Sequence, residues 1–102
     1  MIKHIVWWSL KEEAAGATAA ENCEKMVAML RALEGKIPSL DSIEISTTFL
    51  GSTTEEPIQV ILQSTHNDEE GLKAYAVHPE HMKCVEFIKQ IVATRKAIDY
   101  VI

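Results

Sequence analysis

The stretch IKHIVWWSL, residues 2–10, is apolar on both alternating positions: Ile2, Val6, Trp8 and Leu10 on one, Ile5 and Trp7 on the other. Only Lys3, His4 and Ser9 interrupt it. β-Branched and aromatic side chains at this density read as a strand, and successive side chains of a strand point to opposite faces. Both faces of this strand therefore require a cover.

The rest of the chain supplies one of the two covers. Thr18-Ala-Ala-Glu21 is a capping box that predicts a helix start near Thr18, with Cys23, Met26, Val27, Leu30 and Leu33 following at helical spacing. Gly35 ends that helix and Pro38 prevents its continuation. Ile43, Ile45, Thr47 and Phe49 alternate with Ser42, Glu44, Ser46 and Thr48, the pattern of a strand with one polar face. The polar segment Gly51 to Pro57 leads to a third strand at Ile58 to Thr65, and Asn67 with Glu70 predicts the cap of a short helix through Tyr75. Pro79 suits the first turn of another helix, whose apolar stripe is Val85, Ile88 and Val92. A last strand, Ala97 to Ile102, completes the order. The expectation is α+β: a single domain over 1–102 with the ferredoxin-like βαββαβ order, a four-stranded antiparallel sheet and its helices on one side. The uncovered side then calls for a homodimer, sheet against sheet, which closes a dimeric α/β barrel. The space between the two sheets is the expected place for a ligand.

Composition narrows the partners. At 102 residues the chain buries about 60–70% of the surface its unfolded state exposes, enough for one modest core. Its formal charge of −5 argues against nucleic-acid binding, which depends on clustered cations. No apolar run approaches the roughly 20 residues of a membrane span, and MIKHIVWW is too short for a secretion signal. Cys23 and Cys84 lie far apart with no CxxC pair, so the reading is a cytoplasmic chain with free thiols. No glycine-rich loop follows a strand, so neither a nucleotide nor any other cofactor is expected. The favoured partner is a small apolar or aromatic molecule.

The opening IKHIVWWSLKEE and the later AYAVHPEHMKCVEFIKQIVATRKAIDY resemble the stress-responsive A/B barrel (Dabb) domain family of dimeric α/β barrels. The resemblance rests on the Y-x-x-H-P-x-H block and the terminal D-Y strand, and element order extends it over nearly the whole chain. It implies the fold and the dimer argued above. Most members have no assigned activity. The best understood branch is a plant polyketide cyclase that closes a linear tetraketide by an aldol reaction, using the tyrosine and the second histidine of the block. That role falls on Tyr75 and His81, and the early histidine of its pocket matches His4. The cyclase's further helix tyrosine has no counterpart, because the first helix offers Met26, Met29 and Leu30.

The residues support the same assignment on chemical grounds. An aldol cyclisation needs a base for the proton beside a carbonyl and a donor where enolate charge develops, tasks suited to His81 and the Tyr75 hydroxyl. His81 precedes Cys84 and Val85 by three and four residues, so it should point inward. The structural alternative is that His81 only satisfies a backbone carbonyl. His4, Val6 and Trp8 share a parity and are expected to line the pocket, with Trp7 packed under the helices or at the strand's end. His78 precedes Pro79 and is expected to serve the helix start. His78, His81 and Cys84 have a metal-like spacing, but Pro79 turns His78 out of line and no metal is expected. His66 reads as a solvated turn residue, and Asp68-Glu69-Glu70 as an acidic first turn. Two function classes follow: a cofactor-free cyclase, isomerase or lyase, or a non-catalytic barrel that binds or assembles. A third, the cofactor-free monooxygenase, would draw on Asn22 or Asn67.

Overall fold

The computed structural model describes all residues, 1–102. Its strands are β1 (Ile2–Leu10), β2 (Glu13–Ala14), β3 (Ala17–Thr18), β4 (Ser42–Ser46), β5 (Val60–His66) and β6 (Val92–Val101). Three helices join them: α1 (Ala19–Arg31), α2 (Glu69–Val77) and α3 (Pro79–Ile91). Four strands form one antiparallel sheet in the order β4-β5-β1-β6, so the doubly apolar stretch is a central strand, paired on both edges. The helices cover one face.

Local chemistry accounts for most boundaries. The Thr18–Glu21 capping box is present and α1 begins directly after it. Gly35 takes φ +82°, a conformation that glycine adopts without a steric penalty, just beyond the last turn. His78 caps α3, its Nδ1 accepting from the Glu80 amide at 3.1 Å, and Pro79 is the first helical residue. The cap of α2 differs from expectation. It is Asp68, not Asn67, whose carboxylate accepts from the Gly71 amide at 2.7 Å. Two further elements escape the sequence pattern. β2 and β3 form a two-residue hairpin in which Ala15 and Gly16 both have positive φ. Its alanine-rich sequence carries no strand signal. β6 begins at Val92 with no connecting loop, and its polar segment Thr94-Arg95-Lys96 conceals the first half of an edge strand.

Packing holds these elements together. Met26 and Leu30 of α1 and Ile91 of α3 meet Val6 and Trp8 of β1 and Val60 and Leu62 of β5 in one core. Each such side chain contributes about 1.5–3 kcal/mol on full burial, whereas a cap contributes about 1 kcal/mol. The caps decide where the helices start, and the core decides where they lie.

The parity of β1 sorts its side chains. His4, Val6 and Trp8 lie opposite Ser64, Leu62 and Val60, all three of which are buried beneath the helices. Ile5 and Trp7 project from the other face, beside Ile61 and Gln63 of β5 and Lys96, Ile98 and Tyr100 of β6. Trp7 therefore does not pack under the helices, contrary to expectation. Ile98 is 54% exposed and Tyr100 40%, and no helix of the chain covers this face.

Candidate active site

A cleft of about 220 Å³ opens between the sheet and the helices, lined by eight apolar residues and by His4, His81, Lys89 and Arg95. All five residues singled out in the sequence border it: His81, Tyr75, His4, Val6 and Trp8. Its position differs from expectation. It lies within one protomer, under α2 and α3, and not in the space between two sheets, because the even positions of β1 are the ones the helices cover. A larger depression of about 440 Å³ runs over the β2–β3 hairpin, but it is an open, shallow surface beside Glu13, Thr18 and Glu21.

Tyr75 is the centre of the polar end. Its ring is buried between His66, 4.8 Å away, and His81, 4.4 Å away, with His4 at 6.5 Å. Burial raises its hydroxyl pKa well above the ordinary value, with the Cys84 thiol adding to the effect. The phenol stays protonated and serves only as a donor or a neutral acceptor.

His81 sits in the first turn of α3, and its Nδ1 donates to the Ala76 carbonyl at 3.0 Å. That bond selects the Nδ1–H tautomer and leaves the lone pair on Nε2. Burial lowers its pKa; the Ala76 bond opposes this, and the charges of His4, Arg95 and His66 reinforce it. The ring is therefore neutral at physiological pH and can accept a proton. The carbonyl bond foreseen as the structural alternative is present, but it uses one nitrogen only. His4 donates from Nδ1 to the Asp99 carboxylate across the β1–β6 pair, which fixes the orientation of its ring.

His66 was missed. Instead of a solvated turn residue it is fully buried beneath Tyr75, donating from Nδ1 to Ser39 O at 2.8 Å and accepting at Nε2 from the Ser64 hydroxyl at 2.9 Å. The signal was available: β5 alternates strictly, and extending the period one residue beyond Thr65 puts His66 on the same face as Leu62 and Ser64. Its ring packs against that of Tyr75. Asn22 is also buried, but it donates to Ala14 O and thereby holds the hairpin, and no asparagine lines the cleft. His78, His81 and Cys84 each turn to a separate backbone partner, and no cluster of three or more His, Cys, Asp or Glu side chains is arranged to hold a metal ion. Cys23 and Cys84 are free thiols.

The buried His66 and the half-buried His81 make stability depend on pH. Burial holds His66 and His81 below the usual 6.5 in the folded chain. The unfolded chain therefore takes up more protons as pH falls, so the stability these neutral rings contribute is complete above about pH 6.5 and is lost on acidification below it. We expect Tm to be level between about pH 7 and 8 and to fall steadily towards pH 5, with a flatter profile in the His66→Gln/His81→Gln double variant. A wild-type Tm that does not change over this range would contradict the assignment of both rings as neutral.

Comparison with known proteins agrees with the architecture. No helix of the chain is long and apolar enough to cross a membrane. No protein of curated function matches it in sequence. Among solved structures, a dimeric ferredoxin-like protein of unknown function from Bacteroides fragilis is 24% identical, with a TM-score of 0.76 over 99% of this chain and 95% of the other. A protein from Arabidopsis thaliana aligns at TM-score 0.81 with 19% identity, covering 100% and 95% of the two chains. The hydroxynitrile lyase of Passiflora edulis aligns at 0.77 with 17% identity, covering 99% and 92%. These likenesses establish the shared fold. The family model described as Stress responsive A/B Barrel Domain matches residues 2–102, and the chain belongs to that family.

Proposed function

We propose that this protein takes a small apolar or aromatic carbonyl compound into the cleft and catalyses a cofactor-free cyclase, isomerase or lyase reaction that begins with proton removal. The observation that carries the reading is the free Nε2 of His81, facing an apolar cleft beside the buried Tyr75 phenol. Nε2 takes the proton from the carbon next to the carbonyl and becomes part of an imidazolium. The Tyr75 hydroxyl donates to the oxygen on which enolate charge develops. The enolate carbon then attacks a second carbonyl of the same molecule, or the enolate expels a leaving group from the carbon β to the carbonyl, and His81 returns its proton to the new alkoxide or to the departing group. His4, fixed in orientation by Asp99, offers its Nε2 to a polar group of the substrate. That one neighbour of the same fold is a hydroxynitrile lyase supports the lyase class. With no asparagine in the lining, the monooxygenase reading lacks the group on which it would depend.

Size limits the substrate. An apolar cavity of about 150 Å³ accommodates benzene, so about 220 Å³ holds one ring with short substituents. Where the cyclase branch carries a tyrosine on the first helix, this chain has Met26, Met29 and Leu30, and Leu30 forms part of the wall. We expect single-ring aryl ketones such as acetophenone to shift the NMR signals of Trp8, Tyr75 and His81, and naphthyl ketones to leave them unmoved. Shifts confined to the outer sheet face would remove the cleft as the binding site.

The functional unit in this reading is a homodimer. The uncovered face bearing Ile5, Trp7, Ile61, Ile98 and Tyr100 supports it, as does the description of neighbours of this fold as dimeric.

A further inference from the structure

The cleft has two unlike ends. At one, His4, Tyr75 and His81 gather; at the other, Trp8 of β1 lies directly opposite Arg95 of β6, and Lys89 of α3 also belongs to the lining. Along β1 the two ends are four residues apart, about 13 Å at the backbone, and the Arg95 side chain narrows that gap, since its charge acts on His81. Directly opposed residues of an antiparallel pair share a face, so the Trp8 indole and the Arg95 side chain leave the sheet together.

The charges at this second end are unbalanced. Of the twelve residues lining the cleft none is acidic, while two, Lys89 and Arg95, are basic. The four ion pairs of the chain are His4–Asp99, Lys83–Glu80, Lys89–Glu86 and Lys96–Glu56, so Lys89 has a surface partner and Arg95 has none. The Trp8 indole N–H is buried in the same wall without an acceptor. In a chain of formal charge −5, with carboxylates in excess, an unpaired guanidinium at the mouth of an apolar cleft stands out. A guanidinium presents a planar fork of donors that matches a carboxylate in two parallel bonds.

We propose that the molecule recognised by this cleft is a compact, single-ring acid whose carboxylate is held by Arg95, with Lys89 adding charge, while its opposite end faces His81 and Tyr75. The inference rests on the cleft being a small-molecule site and assigns the chemical class of its occupant. An acid enters with its charged group left at the partly solvated rim, where Arg95 is exposed, and only its apolar body is desolvated. The reacting carbon then lies at the end of the molecule remote from the carboxylate.

The test compares acids with their uncharged amides of equal shape: benzoate, phenylacetate and 3-phenylpropionate against benzamide, phenylacetamide and 3-phenylpropionamide. Affinity is read by calorimetry, and location by the NMR shift of the Trp8 indole N–H. At about pH 7.5 and low salt, we expect at least one acid to bind about tenfold more tightly than its amide, with the gap shrinking at about 0.5 M salt. Arg95→Gln should bring the pair to within about threefold by weakening the acid more than the amide, and Arg95→Lys should restore part of the gap. Equal affinity of acid and amide in the wild-type protein overturns the anion preference and leaves the cleft intact as a binding site. A gap that survives the Arg95→Gln/Lys89→Gln double variant overturns the assignment to this end. Absence of binding by all six compounds overturns the proposal together with the reading on which it rests.

Discussion

His81→Ala is expected to slow proton removal from a bound ketone by about 10²–10⁴-fold, the usual contribution of a positioned general base. The reaction can be followed without knowing the natural substrate, as deuterium exchange in D₂O at the carbon next to the carbonyl of single-ring aryl ketones. Tyr75→Phe removes the donor to the enolate oxygen and keeps an aromatic ring clamped between His66 and His81. It should slow the same exchange by about 10²–10³-fold. Neither change should dissociate or unfold the protein, because His81 holds only one backbone carbonyl and the phenyl ring of the second variant retains the packing. His78→Ala provides the contrast. It removes the cap of α3 and should lower stability by about 0.5–2 kcal/mol while leaving exchange within about twofold of wild type. Exchange that survives His81→Ala, or that falls equally in His78→Ala, would transfer the base to another residue and end the catalytic reading of this histidine.

Ile98→Asp is expected to turn the dimer into a monomer at micromolar concentration. Ile98 stands opposite Ile5 on the outer sheet face, more than half exposed within one chain, and the dimer proposed here buries it against the same face of a partner. A carboxylate there would be desolvated twice over, once in each protomer. Truncating or mispairing a buried interfacial charge costs about 2–5 kcal/mol, and every 1.4 kcal/mol is tenfold in Kd. The dissociation constant should therefore rise by at least about thirtyfold, as read by sedimentation equilibrium. The cleft lies on the opposite side of the sheet, so the His4, Tyr75 and His81 signals should shift little. A wild-type protein that sediments as a monomer, or an Ile98→Asp dimer of unchanged affinity, would remove the outer face as an interface.

Much of the candidate site was legible because it follows local rules. Pro79 after His78 fixes a helix start, and a helix start fixes where His81 lies relative to Cys84 and Val85. The parity of β1 groups His4 with Val6 and Trp8 before any partner strand is known. His66 escaped because its strand was ended one residue early, at Thr65, with the helix cap assigned to Asn67; the actual cap, Asp68, leaves room for His66 on the buried face. Arg95 escaped for a similar reason: Thr94-Arg95-Lys96 reads as polar connection until its pairing with Trp8, Ser9 and Trp7 places it in the sheet.

By itself the sequence determined the three helices, the four strands of the main sheet, their order and the faces each strand presents, since caps, proline geometry and two-residue alternation act over a few neighbouring residues. Only the tertiary structure decided which face the helices cover. That choice puts the cleft inside one protomer, buries His66 under Tyr75, turns Trp7 outward and sets Arg95 beside Trp8 across 86 intervening residues. The alternation of β1 is symmetrical with respect to its two apolar faces, so nothing local to it could distinguish the covered side from the open one. Packing of α1 and α3 onto Val6, Trp8, Val60 and Leu62 breaks that symmetry, and it exists only once distant segments have come together.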